Sequence, residues 1–513
     1  MHYIEGESRK QSLLFPSSID EYITDDNIVR FIDAFVNELD LDELGFTHTV
    51  LKQTGRPPYK PSDLLKLYIY GYFNKIRTSR KLENECHRNL ELMWLLQKLA
   101  PDHKTISDFR KNNKQGIIKA NKYFILICKE MELVSTSELF GIDGSKFAAV
   151  NSNNRNYSLR KLKKLQEETE KQISDYLITL DTNDRTEQQE AKLSKSEIKS
   201  KLKDLEEKKE YYDNLMDQIE KSGETQISLT DPDSRIMKDQ QNLDVCYNGQ
   251  ISTSETHKLI VACDVTNQGN DLSQLYNMAV QTKENLGLES LSTTADRGYF
   301  KKIEIKKCHD DNITCFVPAP LKSHNKKKGM FTEQDFTYDK INDTYICPAG
   351  NVLTYTGKTY QKHEIEMKPY RTAACKQCKL KSKCTTSKDG RKIYRWVDES
   401  IIDKMQDRMK KHPEIKEKRK ELVEHPFGTM KRTLNFGYFL TKGLKSVRAE
   451  FNLSVLVYNI KRVLNILGFK RVMEMIKEIP LKNSNLLCNI FVLIKKYIYI
   501  DYFKQKCIIF RFC

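Results

Sequence analysis

The chain lacks a long apolar run. Across its 513 residues no uninterrupted stretch reaches the ~18 residues of a membrane span. The nearest, NLLCNIFVLIKKYIYI, is broken by Lys495 and Lys496. The opening, MHYIEGESRKQ, has no apolar core, so no secretory signal is expected. Tryptophan is nearly absent, with only Trp94 and Trp396. A disulfide framework is also missing: 13 Cys scattered through a long, Lys-rich chain without a signal suit a reducing compartment. Acidic residues are outnumbered, 70 Asp and Glu against 86 Lys and Arg, which leaves a net charge of +16. These absences exclude a membrane or secreted protein. They leave a cytoplasmic protein of two to four domains whose basic excess suits a polyanion partner.

Residues 1–135 read as a helical domain. Apolar residues recur at helical spacing in IVRFIDAFVNELDL and LLKLYIYGYFNKI. Ser62, just after Pro61, can cap the second of these, and Thr78 and Thr105 can cap two shorter helices. Short helices, tight turns and many basic residues suit a helix-turn-helix style DNA reader. Strand character begins at SELFGIDGSKFAAV (137–150), then stops. Residues 159–222 instead repeat Leu159, Leu162, Gln166, Thr169, Ile173, Tyr176 and Leu180, then Ile198, Leu202, Leu205, Lys209, Tyr212, Met216 and Ile219. Spacings of three and four on both sides of the polar DTNDRT predict an antiparallel coiled-coil-like helical hairpin. Gln166, Thr169 and Lys209 weaken its seam, so a short hairpin is expected in place of a long dimer zipper.

Strands resume in LDVCYNGQISTS and HKLIVACDVTN, followed by a helix (SQLYNMAVQTKENL), a strand into Asp296, a helix (FKKIEIKKCHD) and a strand (ITCFVPAP). This order matches an RNase H-like mixed α/β sheet flanked by helices, occupying 136–158 and 223–319. A Cys-bearing, β-rich insert follows at 320–398, then the C-terminal helices of the same domain at 399–481. The tail, 482–513, carries no readable role.

Three acids stand out in this frame. Asp143 ends LFGID, Asp296 ends LSTTAD, and Glu424 lies on a late helix with Lys431 seven positions on. Residues seven apart lie about two turns along one helical face. Three hard oxygen donors leave room for substrate phosphate and water around two magnesium ions. By spacing alone, a turn or capping role for each Asp stands beside this reading. Cys347, Cys375, Cys378 and Cys384 can supply a tetrahedral zinc site; unligated thiols or an iron–sulfur cluster are the alternatives. Trp396, in KIYRWVDES, reads either as a core residue or as a stacking platform for an unpaired base.

GIDGSKFAAVNSNNRNYS, SLTDPDSRIMKD, VTNQGNDLSQL, TADRGYF and VEHPFGTMKR together resemble the DDE transposases of bacterial insertion sequences, in the subgroup with a helical N-terminal domain and a Cys-bearing insert. The resemblance runs from about Ile19 to Leu467. It implies that Asp143, Asp296 and Glu424 hold the catalytic Mg2+ ions, with Mn2+ as a substitute. Relatives carry a tyrosine, an arginine and a lysine around the glutamate. Lys431 falls on the lysine position. The arginine position holds Lys420, with Arg419 beside it, and the tyrosine position holds Glu417. Lys431, Lys420, Arg419, Arg235 and Trp396 are thus the expected DNA contacts, Arg235 with Asp231 and Asp233 at the edge of the site or in a turn. The implied function is metal-dependent cleavage and strand transfer at the terminal inverted repeats of an element, by a homodimer on DNA in a bacterial cytoplasm. A DNA-binding derivative that no longer cuts is the alternative, and a structural partner organised by the hairpin a third reading.

Overall fold

A computed structural model describes residues 18–50, 57–185, 195–239, 242–320, 329–362 and 364–478; the 482–513 tail lies outside them. Six helices open the chain: α1 (Ile28–Asn37), α2 (Pro61–Phe73), α3 (Ser79–Cys86), α4 (Leu90–Leu95), α5 (His103–Asn112) and α6 (Lys114–Glu130). Their caps partly differ from expectation. Thr78 does cap α3 by accepting from Lys81 N. In α2, Pro61 itself takes the first helical position, where its missing N–H costs nothing, so Ser62 lies inside the helix. Asp102, whose carboxylate accepts from Lys104 N and Thr105 N, caps α5, and Thr105 is inside that helix too.

The main sheet contains β1 (Leu139–Ala148), then, after the two-stranded ribbon of β2 (Asn156–Ser158) and β3 (Gln226–Ser228), β4 (Arg235–Asp239), β5 (Asn242–Ser254), β6 (Ile260–Thr266), β7 (Leu291–Ala295) and β8 (Ile313–Phe316). β5 lies antiparallel to β1 and to β6, while β7 runs parallel to β1 and β8 parallel to β7. The order β6-β5-β1-β7-β8, with three antiparallel strands and then two parallel ones, is RNase H-like. β4 pairs the first half of the long β5 and β6 the second half. Helices α9 (Leu275–Leu286) and α10 (Lys302–Asp310) make the two connections to the parallel strands, as a parallel pair requires.

Helices α7 (Leu159–Arg185) and α8 (Lys195–Ser222) form a hairpin rooted on the β2–β3 ribbon. Leu162, Leu215 and Ile219 make a small cluster of their own at its base, apart from the main core. The polar seam residues find partners across the hairpin: Gln166 Nε2 donates to Asp213 Oδ1 at 2.7 Å, and Lys209 pairs with Glu170 at 2.8 Å.

A second sheet follows, formed by β9 (Thr337–Asp339), β10 (Thr344–Ile346), β11 (Val352–Tyr355), β12 (Tyr360–Lys362), β13 (Ile365–Arg371) and β14 (Ile393–Trp396). Helices Glu399–Lys411, Ile415–Gly428, Leu444–Leu467 and Phe469–Glu478 complete the described chain. Leu444–Leu467 is buried along most of its length and packs between α6, α2 and the sheet. Such a helix is apolar nearly all round because both of its sides are covered.

The N-terminal helices therefore share one core with the sheet. A buried ion pair marks the junction. Glu450 Oε1 meets Arg77 Nη2 at 3.0 Å, and the same carboxylate accepts from Tyr72 Oη, Leu440 N and Thr441 N. Arg77 also donates to the carbonyls of Asn435 and Tyr438. This full set of donors makes a buried charge tolerable. The helical region is accordingly part of the catalytic body, and a free-standing reader head is not what the packing shows.

Candidate active site

The site is set by register. Ile142 of β1 is the partner of Ala295 of β7, so the next residues, Asp143 and Asp296, emerge side by side where β7 ends. Asp296 then caps a short turn, its Oδ1 accepting from Gly298 N at 2.7 Å. Asp143 Oδ1 accepts from the Gly144 N–H at 2.9 Å. Burial pushes the Asp143 carboxyl up to about 7. The Gly144 N–H and the Arg419 charge oppose this rise, and the neighbouring Asp296 and Asp271 add to it.

The glutamate helix, Ile415–Gly428, crosses the same face of β1. Leu422 and Val423 press on Gly141, where a Cβ would come within 2.8 Å of the Leu422 side chain. One turn on, Phe427 meets Phe147, with ring centroids 6.1 Å apart. Gly141, Asp143 and Phe147 share one face, since alternate residues of a strand do. Glu424 lies between the two anchor points on the helix, as Asp143 does on the strand. It is exposed and has no hydrogen bond or ion pair among the described residues. The second oxygens of Asp143 and Asp296 are likewise unengaged among those residues. Three carboxylates with oxygens to spare, converging from two strands and a helix, form a donor set suited to Mg2+ or Mn2+. Among the described residues, no three His, Cys, Asp or Glu side chains already stand close enough to ligate one ion.

The basic residues divide. Arg419 is half-buried and acts on Asp143, whereas Lys420 points outward. On a helix, Arg419 falls on the inward stripe with Leu422 and Val423, and Lys420 falls with Glu424 toward the rim. The helix does not continue regularly to Lys431. Residues Thr429–Thr433 form a π-turn, in which Leu434 N reaches Thr429 O. This swings Lys431 back to β1, where Nζ donates to Lys146 O at 2.7 Å and lies 4.9 Å from the Phe147 ring. Lys431 thus sits three residues along β1 from Asp143, held by backbone.

Arg235 is engaged locally, by Glu224 at 3.1 Å and by the carbonyls of Pro232 and Ser234. Asp231 and Asp233 serve the start of the long helix Leu444–Leu467: Asp231 accepts from Gly443 N and from Tyr247 Oη, and Asp233 from Leu444 N. The TDPDSR segment is therefore a structural clamp, in which carboxylates meet the positive end of a helix. Trp396 corrects the stacking reading. It is 4% exposed, pairs with Met367 and lies under Lys306 in the core, so its ring is closed to a base.

Asp271, in VTNQGNDLSQL, is a residue the sequence left without a role. Its Oδ1 accepts from Asn248 Nδ2 and Gln250 Nε2, both at 2.7 Å, on the strand next to β1. Gln250 Oε1 in turn accepts from Tyr299 Oη, three residues after Asp296. A Cβ on Gly144 would lie 2.2 Å from Gln250 Nε2 and 2.9 Å from Asp271 Oδ1, so only glycine fits after Asp143.

Cys347, Cys375, Cys378 and Cys384 line one cavity beside the second sheet, with Phe331, Phe336 and Leu353 around it. All four are half-buried free thiols. Burial raises the Cys384 thiol, Arg391 opposes this, and the other three thiols add to it. Gly390 has φ +91°, and a Cβ there would lie 2.5 Å from Cys375 Cβ, so the glycine makes room for that cysteine.

Comparison with known proteins gives two family matches. Residues 346–464, from the Cys-bearing sheet through Glu424 to the long helix, match the family "Transposase DDE domain". Residues 17–112, the N-terminal helices, match a second transposase domain family of otherwise undescribed role. Both matched segments are transposase domains, and the class of the protein is that of the DDE transposases. The pair is consistent with the transposase of an insertion sequence, and the chain is a DNA transposase. No curated protein matches the chain. Among solved structures, a piggyBac transposase synaptic complex with hairpin DNA is 9% identical over 89% of this chain and 78% of that one, with a TM-score of 0.28; a likeness so slight carries no weight beside the sheet order. No helix among the described residues is long and apolar enough to cross a membrane.

Proposed function

We propose that Asp143, Asp296 and Glu424 are the catalytic carboxylates with which this transposase cuts DNA at the ends of its element and joins them to a target. The observation that carries this is the β1–β7 register, which sets Asp143 beside Asp296 under the helix that presents Glu424. Divalent ions held there, Mg2+ or Mn2+, would polarise the phosphate and lower the pKa of the attacking water or 3′-hydroxyl. The chain's own residues supply the rest. Asp296 is fixed by its turn, and Asp143 by the Gly144 N–H. Arg419 tempers the charge of the acids from the same helix as Glu424. Lys431 braces β1, and exposed lysines such as Lys420 offer phosphate contacts at the rim. Positioning and fixed charge do the catalytic work in phosphoryl transfer of this kind.

The partners on this reading are the terminal inverted repeats and the target DNA. A homodimer brings two ends together, and the site of action is the bacterial cytoplasm. Cys347, Cys375, Cys378 and Cys384 would hold a structural Zn2+, four soft donors in one cavity being a fitting set. A derivative that binds DNA without cutting is disfavoured by the three carboxylates with unengaged oxygens. The test is cleavage of oligonucleotides carrying the element's own ends. It should require Mg2+ or Mn2+ and be lost on chelation with EDTA. Cleavage that persists in EDTA would refute the reading.

A further inference from the structure

We propose that Asp271 is a fourth carboxylate of the catalytic centre and helps to hold a divalent cation beside Asp143. The inference rests on the metal-centre reading above and extends it to a residue outside the three acids.

The first observation is a polar group that the fold keeps at some cost. Asn248 and Gln250 are fully buried on β5, in positions that apolar side chains usually fill. Both aim their amide N–H groups at one oxygen of Asp271. Gln250 cannot turn away, because its own oxygen is held by the buried Tyr299 hydroxyl. The carboxylate is thus fixed through Oδ1, and Oδ2 has no hydrogen bond among the described residues. Tyr299 belongs to the turn that Asp296 caps, so this network ties the second acid's segment to Asp271.

The second observation is an orphan. Asn248 Oδ1 is buried and has no partner. It faces Gly144: a Cβ there would lie 3.0 Å from Asn248 Oδ1 and 2.9 Å from Asp271 Oδ1. Buried oxygens rarely stay unsatisfied. Here an amide oxygen and a carboxylate converge beside the residue after Asp143, both of them hard donors of the kind Mg2+ and Mn2+ take, directly or through bound water. The Asp271 charge is also close enough to Asp143 to raise its carboxyl.

Asp271→Asn is the discriminating variant. The new amide oxygen can still accept from Asn248 and Gln250, so the fold is kept and only the charge is removed. Mn2+ binding is measured by calorimetry on the full chain without DNA. Wild type, Asp271→Asn and Asp143→Ala are compared, with circular dichroism as the control for folding. Asp271→Asn should weaken Mn2+ binding by about tenfold, in the range seen when a supporting group of a metal site is lost. Affinity within twofold of wild type, with binding abolished in Asp143→Ala, overturns this inference alone. Unchanged binding in both variants overturns the metal-centre reading itself. A second measurement needs no variant: Fe2+ with ascorbate and peroxide should cut the unaltered chain near both Gly144 and Asp271. Cutting near Gly144 without cutting near Asp271 also overturns the inference.

Discussion

Asp143→Asn should make the metal-free protein more stable at pH 8. In the fold the Asp143 carboxyl is pushed up to about 7 by burial, with Asp296 and Asp271 adding to it. In the unfolded chain it titrates near its ordinary 3.8. Because the folded pKa is the higher one, the folded state binds the proton more tightly between these values. Stability is greatest below the unfolded pKa, falls as pH rises from about 4 to about 7, and is level above that. Three units at about 1.4 kcal/mol each give an upper bound on the order of 4 kcal/mol. Asp143 is only half-buried, and water and side-chain relaxation screen it, so about 1–2 kcal/mol is the expected gain at pH 8. Asparagine preserves the shape and the Gly144 bond while removing the charge. For a chain of this length that gain raises Tm by a few degrees at most. Melting curves in EDTA at pH 4.5 and pH 8 are the assay. The variant should melt above wild type at pH 8, with the difference shrinking toward pH 4.5. Adding Mn2+ at pH 8 should raise wild type and leave the variant nearly unmoved, since the ion replaces the proton as the counter-charge. A variant that melts below wild type at pH 8, or a difference independent of pH, would refute the argument that this site stores repulsion for a cation to relieve.

Three further outcomes are expected. Arg77→Met should cost about 3–5 kcal/mol, because it leaves Glu450 buried without its cation; urea unfolding measures this, and a loss below about 1 kcal/mol would show that the pair is dispensable. Replacing Cys375 and Cys378 together by Ser should release about one Zn2+ per chain by elemental analysis and loosen the second sheet, whereas purified wild type without zinc would end that assignment. Deleting Arg160 to Lys221, with a short Gly/Ser link across the β2–β3 ribbon, should leave the main sheet folded and nicking intact while joining suffers, since the hairpin closes on its own small cluster; loss of all folded structure by circular dichroism would contradict this.

The strand order was readable because each strand of the main sheet carries its own apolar run, and the acids at strand ends could be found by eye. What escaped depends on geometry between segments. Asp271 is far in sequence from Asp143, and its place follows from β5 lying against β1 with Gly144 opposite Gln250. Arg419 and Lys420 differ by one residue, yet helix phase sends one to the acids and the other to solvent. The seven-residue spacing from Glu424 to Lys431 suggested a continuous helical face, and the π-turn at Thr429–Thr433 altered it. TDPDSR reads equally as a site edge or a turn until the long helix Leu444–Leu467 is seen to begin on it. Trp396 shows the same limit: whether an aromatic stacks on a base or fills a core depends on what covers it. The Cys spacing was visible, but the convergence of all four thiols on one cavity needed the fold of the second sheet.

The central claim is that three carboxylates, and not the surrounding basic surface, perform the chemistry. The most direct measurement compares Asp143→Ala, Asp296→Ala and Glu424→Ala in a Mg2+-dependent cleavage assay on element-end DNA, with end binding by gel shift measured in parallel. Each variant should lose cleavage entirely and bind the ends nearly as wild type does, because each substitution removes a metal ligand and leaves the phosphate contacts in place. Cleavage near the wild-type rate in any one of the three would remove that residue from the site and contradict the account.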